Sequence, residues 1–476
     1  MGDFLPPLKP ELEELDAIIL GTDIKEAIQA ASLALDGRAV LHLDKEPLYG
    51  QRHATRSLRE MNQWAGGKED LPEILKAHGR GWNLDRCPQL LPAAGDVVDL
   101  LIASDASSHV EFKLLNSAYI LLSDPASSVA EWIPVPSSKE AIFSSTTLSL
   151  LEKRKLMRFL TYMASVDEEG VETEEEAGSF RLWIMKRFGL SARLADIVQY
   201  GVLMDGMSSP HTPESLQVQG GKARARSLLQ SVGRYGASPF LFPMFGMGDV
   251  AQAFCRMAAV HGAIYVMQRQ TGEVSEGDKD LWLPETKETL SSKRILAHPD
   301  YLKNRGSISK TRKYLCIVPA PDPPKTKDNT EEEGEAQDTL EENQETSEDG
   351  APTVFTLPPT SENTPAVYVL SVGYAVQASP KGWLVLYVSF TSIDDGSDQK
   401  DQSIFEHSFR EEAALTLSWL EEDIPGEDGS SPVLWSLPKE PLEQIRDLLH
   451  RPAFSGAKEE EDDAEMNGEN KSSSKE

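Results

Sequence analysis

The alternation of apolar and polar positions near the start of the chain predicts a βαβ unit. Residues 17–20 form an unbroken apolar run, which is typical of a buried parallel strand. Apolar side chains then recur at helical spacing over 24–35, and a second apolar run over 39–43 ends at Asp44. Strand, helix and strand closed by an acid is the order found in dinucleotide-binding folds.

The turn that would hold the dinucleotide phosphates has the wrong residues. Gly21 begins this turn, but Asp23 and Glu26 stand where the fingerprint has its second and third glycines. Carboxylates at a helix N-terminus occupy the free N–H groups and repel a phosphate at short range. We therefore expect a Rossmann-type scaffold without a cofactor, with a working FAD or NAD site as the alternative.

Helical periodicity replaces the α/β pattern between about residues 137 and 233. One amphipathic helix is marked by apolar positions at helical spacing, namely Leu148, Leu151, Leu156, Phe159, Leu160 and Met163. Ser191 is expected to cap a helix over 192–204. A helical block inside an α/β chain is typical of an inserted second domain.

The domain assignment follows these changes of pattern. The large domain is assigned to 11–134, 233–320 and 353–455, the helical domain to 135–232, and two disordered acidic segments to 321–352 and 456–476. A short helix is expected over 441–449, within the large domain. The fold class is thus α/β with an inserted all-helical domain.

The second α/β segment contains a helix with polar residues in its first turns. Asp249 followed three residues later by Gln252 resembles a capping box, and Gly262 ends the helix before a strand over 263–267. Both polar residues therefore have a purely local explanation as helix caps.

Composition excludes several classes of function. The 476 residues have a net charge of −30, which disfavours nucleic acids and anionic membrane surfaces as partners. No run approaches the ~20 apolar residues of a membrane span, and we expect no membrane anchor. Three distant cysteines without a C-x-x-C pair indicate reduced thiols in a cytoplasmic protein.

No catalytic motif occurs in the sequence. Signatures of hydrolases, zinc proteases and P-loop enzymes are missing, and His42, inside a predicted strand, is expected to be a core residue. We expect no catalytic residue, no cofactor and no metal. A flavin-dependent oxidoreductase is the enzymatic alternative, but it rests on the fold alone.

Two long segments resemble the family of Rab GDP-dissociation inhibitors and Rab escort proteins. They are ILGTDIKEAIQAASLALDGRAVLHLDKEPLYG and GRYGASPFLFPMFGMGDVAQAFCRMAAVHGAIYVM, and VEFKLLNSAYI and LLEKRKLMRFLTYM lie between them in the family's order. The resemblance implies a FAD-monooxygenase-like fold that has lost its cofactor. It also implies a non-catalytic regulator that binds GDP-bound Rab GTPases.

The resemblance favours the escort branch over the recycling inhibitor. Escort proteins have a Phe eleven residues before the Arg of an E-K-R motif, and Phe143 and Arg154 have this spacing. They are expected to bind the α subunit of geranylgeranyl transferase type II, making the protein an accessory subunit of that enzyme. The alternatives are that Phe143 packs against the domain, that Arg154 is a solvated helix charge, and that the protein is a GDP-dissociation inhibitor.

The resemblance also implies a Rab-binding platform. Its residues are Tyr49, Asp249, Gln252, Arg256, Ile264 and Val266. Local explanations remain as alternatives. Arg256 could pair with a nearby acid, and Ile264 and Val266 could be ordinary core residues of a strand. The geranylgeranyl lipid of the Rab is expected between helices around 148–166 and 191–204, and delivery of the Rab implies transient membrane association.

Overall fold

The computed structural model describes residues 15–67, 70–123, 130–165, 178–207, 216–304, 309–321, 350–359, 365–392, 398–408 and 413–423. The strands are β1 Leu15–Leu20, β2 Val40–Leu43, β3 Thr55–Arg56, β4 Leu84–Asp85, β5 Leu91–Pro92, β6 Phe112–Leu114, β7 Ser117–Ser123, β8 Ala130–Pro134, β9 Phe240–Pro243, β10 Ile264–Val266, β11 Asp280–Leu283, β12 Glu288–Ala297, β13 Ser309–Pro319, β14 Thr353–Leu357, β15 Val367–Val372, β16 Trp383–Thr391 and β17 Leu415–Asp423. The helices are α1 Ile24–Leu35, α2 Leu58–Trp64, α3 Glu73–Lys76, α4 Asp96–Ala103, α5 Lys139–Ser144, α6 Leu150–Ser165, α7 Phe180–Phe188, α8 Ala192–Asp196, α9 Val218–Ser231, α10 Gly248–Val260 and α11 Asp398–Ser408.

A five-stranded sheet is built around the predicted βαβ unit. Its order is β10–β2–β1–β12–β11, with the first four strands parallel and β11 antiparallel to β12. Helices α1 and α10 pack against each other over this sheet. Because β1, β2 and β12 are parallel neighbours, the residues that follow their carboxyl ends meet at one edge.

A seven-stranded sheet forms the second layer of the α/β part. Its order is β17–β13–β16–β15–β14–β7–β8, antiparallel except for the parallel pair β14 and β7. One apolar core joins this sheet to the helices between Lys139 and Ser231. The helical segment therefore shares its core with the sheet beside it.

The sequence predictions for the helical segment are partly right. Helix α6 buries Leu156, Phe159 and Met163, as expected, but Leu151 is 62 % exposed and lies on the solvent face. The Ser191 hydroxyl caps α8, as predicted. The chain then continues as a π-helix over Ile197–Val202 instead of a regular α-helix.

Other expectations concern single residues or lie outside the described residues. His42 is fully buried, and burial lowers its pKa to about 4, so the core assignment is confirmed. The three cysteines are free and buried. In the described part of the chain no helix has both the length and the apolarity to cross a membrane. The last helix at 441–449, the acidic tail and residues 322–349 of the acidic insert lie outside it.

Candidate functional site

The start of α1 is occupied by side chains of the protein itself. Asp23 is buried at the N-cap, and its carboxylate accepts the N–H of Ile24. The same carboxylate contacts His53 Nδ1, and His298 Nε2 lies 3.4 Å from its Oδ2. Burial opposes ionisation, but the two imidazoles still hold the pKa of Asp23 well below its ordinary value. Asp23 in turn raises the pKa of His53 to about 9, against the lowering by burial.

The acid at the end of β2 is equally engaged within the chain. Asp44 accepts hydrogen bonds from the N–H and hydroxyl of Thr22 at 2.7 and 2.6 Å, and from the Tyr301 hydroxyl at 3.0 Å. In dinucleotide-binding folds this acid binds a ribose hydroxyl. Here it instead holds the turn after β1 against Tyr301.

These residues do not fit a dinucleotide. The N–H of Ile24, which faces a pyrophosphate in a working site, is bound by Asp23. A methyl group added at Gly21 would lie 2.5 Å from Gln51 Oε1 and 2.8 Å from His298 Cβ, so the space beside the glycine is filled. The prediction that carboxylates occupy the free N–H groups agrees with this geometry for Asp23, whereas Glu26 Oε2 has no hydrogen-bond partner among the described residues.

Helix α10 is held in position by a turn that packs against β3 and β4. Gly246 has a φ of 100°, and a Cβ there would lie 2.3 Å from Thr55 Oγ1. The N–H of Met247 donates to both oxygens of Asp85, at 3.0 and 3.1 Å, and the N–H of Gly248 donates to Thr55 Oγ1 at 2.9 Å. Glycine is required in this turn by both the backbone angle and the lack of space.

One face of α10 lines an open depression of about 290 Å³. Asp249, Gln252 and Arg256 follow one another on this face, and Tyr49 closes the depression from the loop after β2. The Tyr49 ring meets the Tyr265 ring edge-on, with centroids 5.8 Å apart. We call this surface the α10 depression. It brings together four of the six side chains expected to form the platform.

The remaining two platform candidates do not line the α10 depression. Ile264 is 42 % exposed on edge strand β10, so its assignment to strand core is wrong. Val266 packs against the core beneath β2. Tyr265, between them, lines the depression, as does His109 from a distant 3₁₀ turn. Strand alternation could have identified Tyr265, but no sequence signal points to His109.

The local explanations for the polar residues of α10 are not supported. Met247 is the N-cap, and no side chain caps the helix, so Asp249 and Gln252 do not form a capping box. Arg256 is exposed and makes no ion pair with any described residue. Burial alone raises the pKa of Asp249 to about 6. The face of α10 thus presents polar groups that its own helix does not use.

The helical segment exposes an apolar and basic surface. Phe143 on α5 is 67 % exposed, so the alternative that it packs against the domain is wrong. Arg154 is exposed on the neighbouring helix α6 and has no ion pair among the described residues. The Lys153 ammonium donates to the Phe143 carbonyl at 2.7 Å, which fixes α5 against α6. Phe143 and Arg154 are therefore presented from two elements held together.

A small apolar cavity of about 30 Å³ lies between the helices of the same segment. Its walls come from α5, α6, the π-helix and α9, with Ile142, Leu156, Val202 and Ala225 as examples. This is the region in which the sequence resemblance places the lipid. Most of its lining residues belong to the buried core, so core packing leaves only a small space here.

Comparison with solved structures identifies the fold. An oxidoreductase from Methanosarcina mazei is similar with a TM-score of 0.55 at 12% identity, over 86% of this chain and 88% of that one. A Rab GDI from Plasmodium falciparum has a TM-score of 0.67 at 19% identity, over 92% of this chain and 98% of that one. The protein therefore has the Rossmann-type fold of FAD-dependent oxidoreductases, as the sequence predicted.

Sequence comparison identifies the family. The family described as "GDI: GDP dissociation inhibitor" matches residues 12–346, and the chain belongs to it. Guanosine nucleotide diphosphate dissociation inhibitor 2 of Arabidopsis thaliana is 26% identical over 80% of this chain and 81% of its own length. Rab GDP dissociation inhibitor beta of Canis lupus familiaris is 27% identical over 65% of this chain and 68% of its own length. Members of this family are non-catalytic regulators of Rab GTPases, which agrees with the prediction that the protein is not an enzyme.

Proposed function

We propose that the protein binds GDP-loaded Rab GTPases through the α10 depression and acts as a recycling GDP-dissociation inhibitor. Relatives named as Rab GDP dissociation inhibitors support this role over the escort role that the sequence favoured. The observation that carries it is the group of Tyr49, Gln252 and Arg256 around one open surface. Two of these, Gln252 and Arg256, are exposed.

The chemistry of the α10 depression suits the switch surface of a GTPase. The Arg256 guanidinium offers several donors in a planar fork, and the Gln252 amide both donates and accepts. Tyr49 adds an aromatic ring with a polar tip, held against Tyr265. None of these three side chains caps α10 in the described part of the chain. Their polar groups are therefore available to a partner.

The cavity between the helices supports binding of the prenyl lipid. Its walls are almost entirely aliphatic and aromatic carbon, with Ser137 as the polar exception. Each buried CH₂ of a prenyl chain gains about 0.8 kcal/mol. The cavity of about 30 Å³ is far smaller than a prenyl chain. The surrounding helices would therefore have to separate to admit the lipid before this gain could offset the loss of the membrane and allow transient membrane association.

A second candidate function is that of a Rab escort protein. The observation that favours it is the exposure of Phe143 on α5 and of Arg154 on the adjoining helix α6, where Arg154 has no ion pair with any residue that the structure describes. Large exposed aromatic and arginine side chains are typical of protein contacts. In this role the pair binds the α subunit of geranylgeranyl transferase type II. The protein then presents unprenylated Rab to the enzyme, which supplies the chemistry.

Two reconstituted assays separate the candidates. The first measures extraction of prenylated, GDP-loaded Rab from vesicles, and the second measures geranylgeranylation of unprenylated Rab by the type II transferase. A recycling inhibitor extracts Rab and does not stimulate prenylation. An escort protein is required for prenylation. Failure in both assays, by protein that is folded, would reject both roles.

Matched variants locate the two surfaces. Arg256→Ala should weaken Rab–GDP binding about tenfold or more, whereas Arg59→Ala, at another exposed arginine, should not. For the escort role, Phe143→Ala with Arg154→Ala should abolish stimulation of prenylation. The control is Leu182→Ala with Arg158→Ala, which removes a 57 % exposed leucine and an exposed arginine of the same helical segment.

A further inference from the structure

Three donor groups converge beneath the start of α1. Donor atoms of Asp23, Glu26 and His298 all lie within 4.8 Å of one another. The three residues are 4 %, 3 % and 8 % exposed. We propose that they form a binding site for one divalent transition-metal cation, with Zn²⁺ as the expected ion.

An unpartnered oxygen points to a ligand at this place. Glu26 Oε2 is buried and has no hydrogen-bond partner within the described part of the chain. The oxygen and the nitrogen of the nearby Gln51 side-chain amide are also buried without a hydrogen-bond partner among the described residues. A buried carboxylate oxygen without a donor or a cation is costly, and buried charges in proteins are paired or coordinate metals. A cation between Glu26 and Asp23 would satisfy both carboxylates.

The surrounding residues provide the outer contacts that metal sites use. His53 Nδ1 contacts the Asp23 carboxylate from the far side. Nδ1 of His298 accepts the N–H of Asp300 at 3.2 Å, and Asp300 Oδ2 lies 3.7 Å from the same nitrogen. If Nε2 bound a metal, the ring proton would sit on Nδ1, where this carboxylate could orient the imidazole. Arg52 Nε, at 3.9 Å from Asp23 Oδ2, is the nearest fixed cation.

The donor set selects the kind of ion. Two carboxylate oxygens and one imidazole nitrogen match Zn²⁺, which is held by three protein ligands plus a fourth in open sites. Ca²⁺ takes six to eight oxygens and Mg²⁺ keeps an octahedral shell, which this closed group does not provide. Two carboxylates, a neutral imidazole and Zn²⁺ together carry no net charge. Binding at His298 Nε2 requires the single proton of the neutral ring to move to Nδ1, since the ligand must be a neutral imidazole.

The metal site is independent of the proposed function. It lies where proteins of this fold that bind a dinucleotide contact its phosphates. His298 follows β12, whose last residue, Ala297, pairs with Leu20 of β1. Its N–H donates to the Leu20 carbonyl at 2.8 Å, which places the imidazole over the turn that begins at Gly21. No metal is expected from the sequence because it has neither a C-x-x-C nor an H-E-x-x-H motif.

The test uses the full chain, freed of metal with a chelator and titrated with Zn²⁺ by calorimetry. We expect one Zn²⁺ per chain, and Glu26→Gln or His298→Gln should weaken its binding roughly tenfold or more. Glu273→Gln, which alters an exposed carboxylate, is the matched control and should bind like the unaltered chain. Circular dichroism and thermal melting establish that each variant is folded.

X-ray absorption of the Zn²⁺ complex identifies the ligands without any variant. Oxygen and nitrogen neighbours near 2.0–2.2 Å, with no sulfur, are expected for this site. Zn–S distances near 2.3 Å would place the ion on a cysteine and overturn the proposal. So would the lack of saturable binding by the folded chain, or equal affinity of both variants and the control.

Discussion

The carboxylate of Asp85 binds the backbone N–H of Met247 through both of its oxygens, at 3.0 and 3.1 Å. These residues are far apart in sequence, and the contact sets the first turn of α10 on strand β4. The face of α10 that lines the depression is therefore oriented by a buried acid outside the helix. Two predictions concern this anchor, one concerns the α10 depression, and one concerns the cavity between the helices.

Gly246→Ala should destabilise the protein through a direct clash. The added Cβ would lie 2.3 Å from Thr55 Oγ1 and 2.5 Å from Asp85 Oδ1. Gly262→Ala is the matched control, because its φ of 97° is similar but nothing lies within 4 Å of the new Cβ. Denaturant unfolding should show an extra loss of about 1–3 kcal/mol at Gly246. Equal losses of stability in the two variants would mean that the positive φ alone, and not the clash with Thr55 and Asp85, accounts for the effect.

Asp85 should make stability depend on pH. Burial raises its pKa to about 7 in the folded protein, against the hydrogen bonds from Thr55 and Met247, while the unfolded value is near 3.8. A carboxyl group whose pKa is higher in the folded than in the unfolded protein stabilises the folded state at pH values below the unfolded pKa. This stabilisation is lost as the pH rises toward 7. The unfolding free energy of the parent protein relative to Asp85→Asn should fall between pH 4 and 7. A constant difference across this range would contradict the prediction.

Asp249 should make Rab–GDP binding sensitive to pH. Burial raises its pKa to about 6, so the carboxyl group is protonated below this pH and is an anionic acceptor above it. If the anion binds a donor on the Rab, affinity should weaken as pH falls from 7.5 to 5. Asp249→Asn should bind more weakly at pH 7.5 and show a flatter dependence. The same slope in both proteins would assign the effect to another group.

Ala225→Leu should reduce lipid binding by filling the cavity between α6, the π-helix and α9. Ala225 lines that cavity and is 4 % exposed, so larger side chains there enter the space assigned to the prenyl chain. Extraction of prenylated Rab from vesicles should fall, and the cost in stability should stay within about 1–3 kcal/mol. Binding of unprenylated Rab–GDP is the internal control and should not change. Loss of both activities would indicate a damaged fold.

Local sequence was sufficient for the first βαβ unit. Apolar runs and helical spacing placed β1, α1 and β2 within about two residues, because each element buries one continuous face. The same reasoning located Asp23 at the start of α1, where its carboxylate caps the helix. The chemistry at this position depends on near neighbours in the chain, so the sequence predicted it correctly.

Local sequence also misled where two patterns look alike. Asp249 and Gln252 have the spacing of a capping box with Asp249 as N-cap, yet α10 begins two residues earlier, at Gly248, because Asp85 and Thr55 bind the backbone there. Leu151 has the spacing of a core residue but faces solvent. A helix start and a buried face are decided by what packs against the helix, which periodicity does not contain.

The sequence by itself thus determined the fold class, the loss of the dinucleotide site and the face of α10 that carries Asp249, Gln252 and Arg256. Only the tertiary structure decided which distant residues join these groups. The pairing of β12 with β1 places His298 beside Asp23, and the loop after β2 places Tyr49 against α10. Parallel strands bring together residues that follow their ends regardless of separation in the chain, and that pairing depends on the whole core.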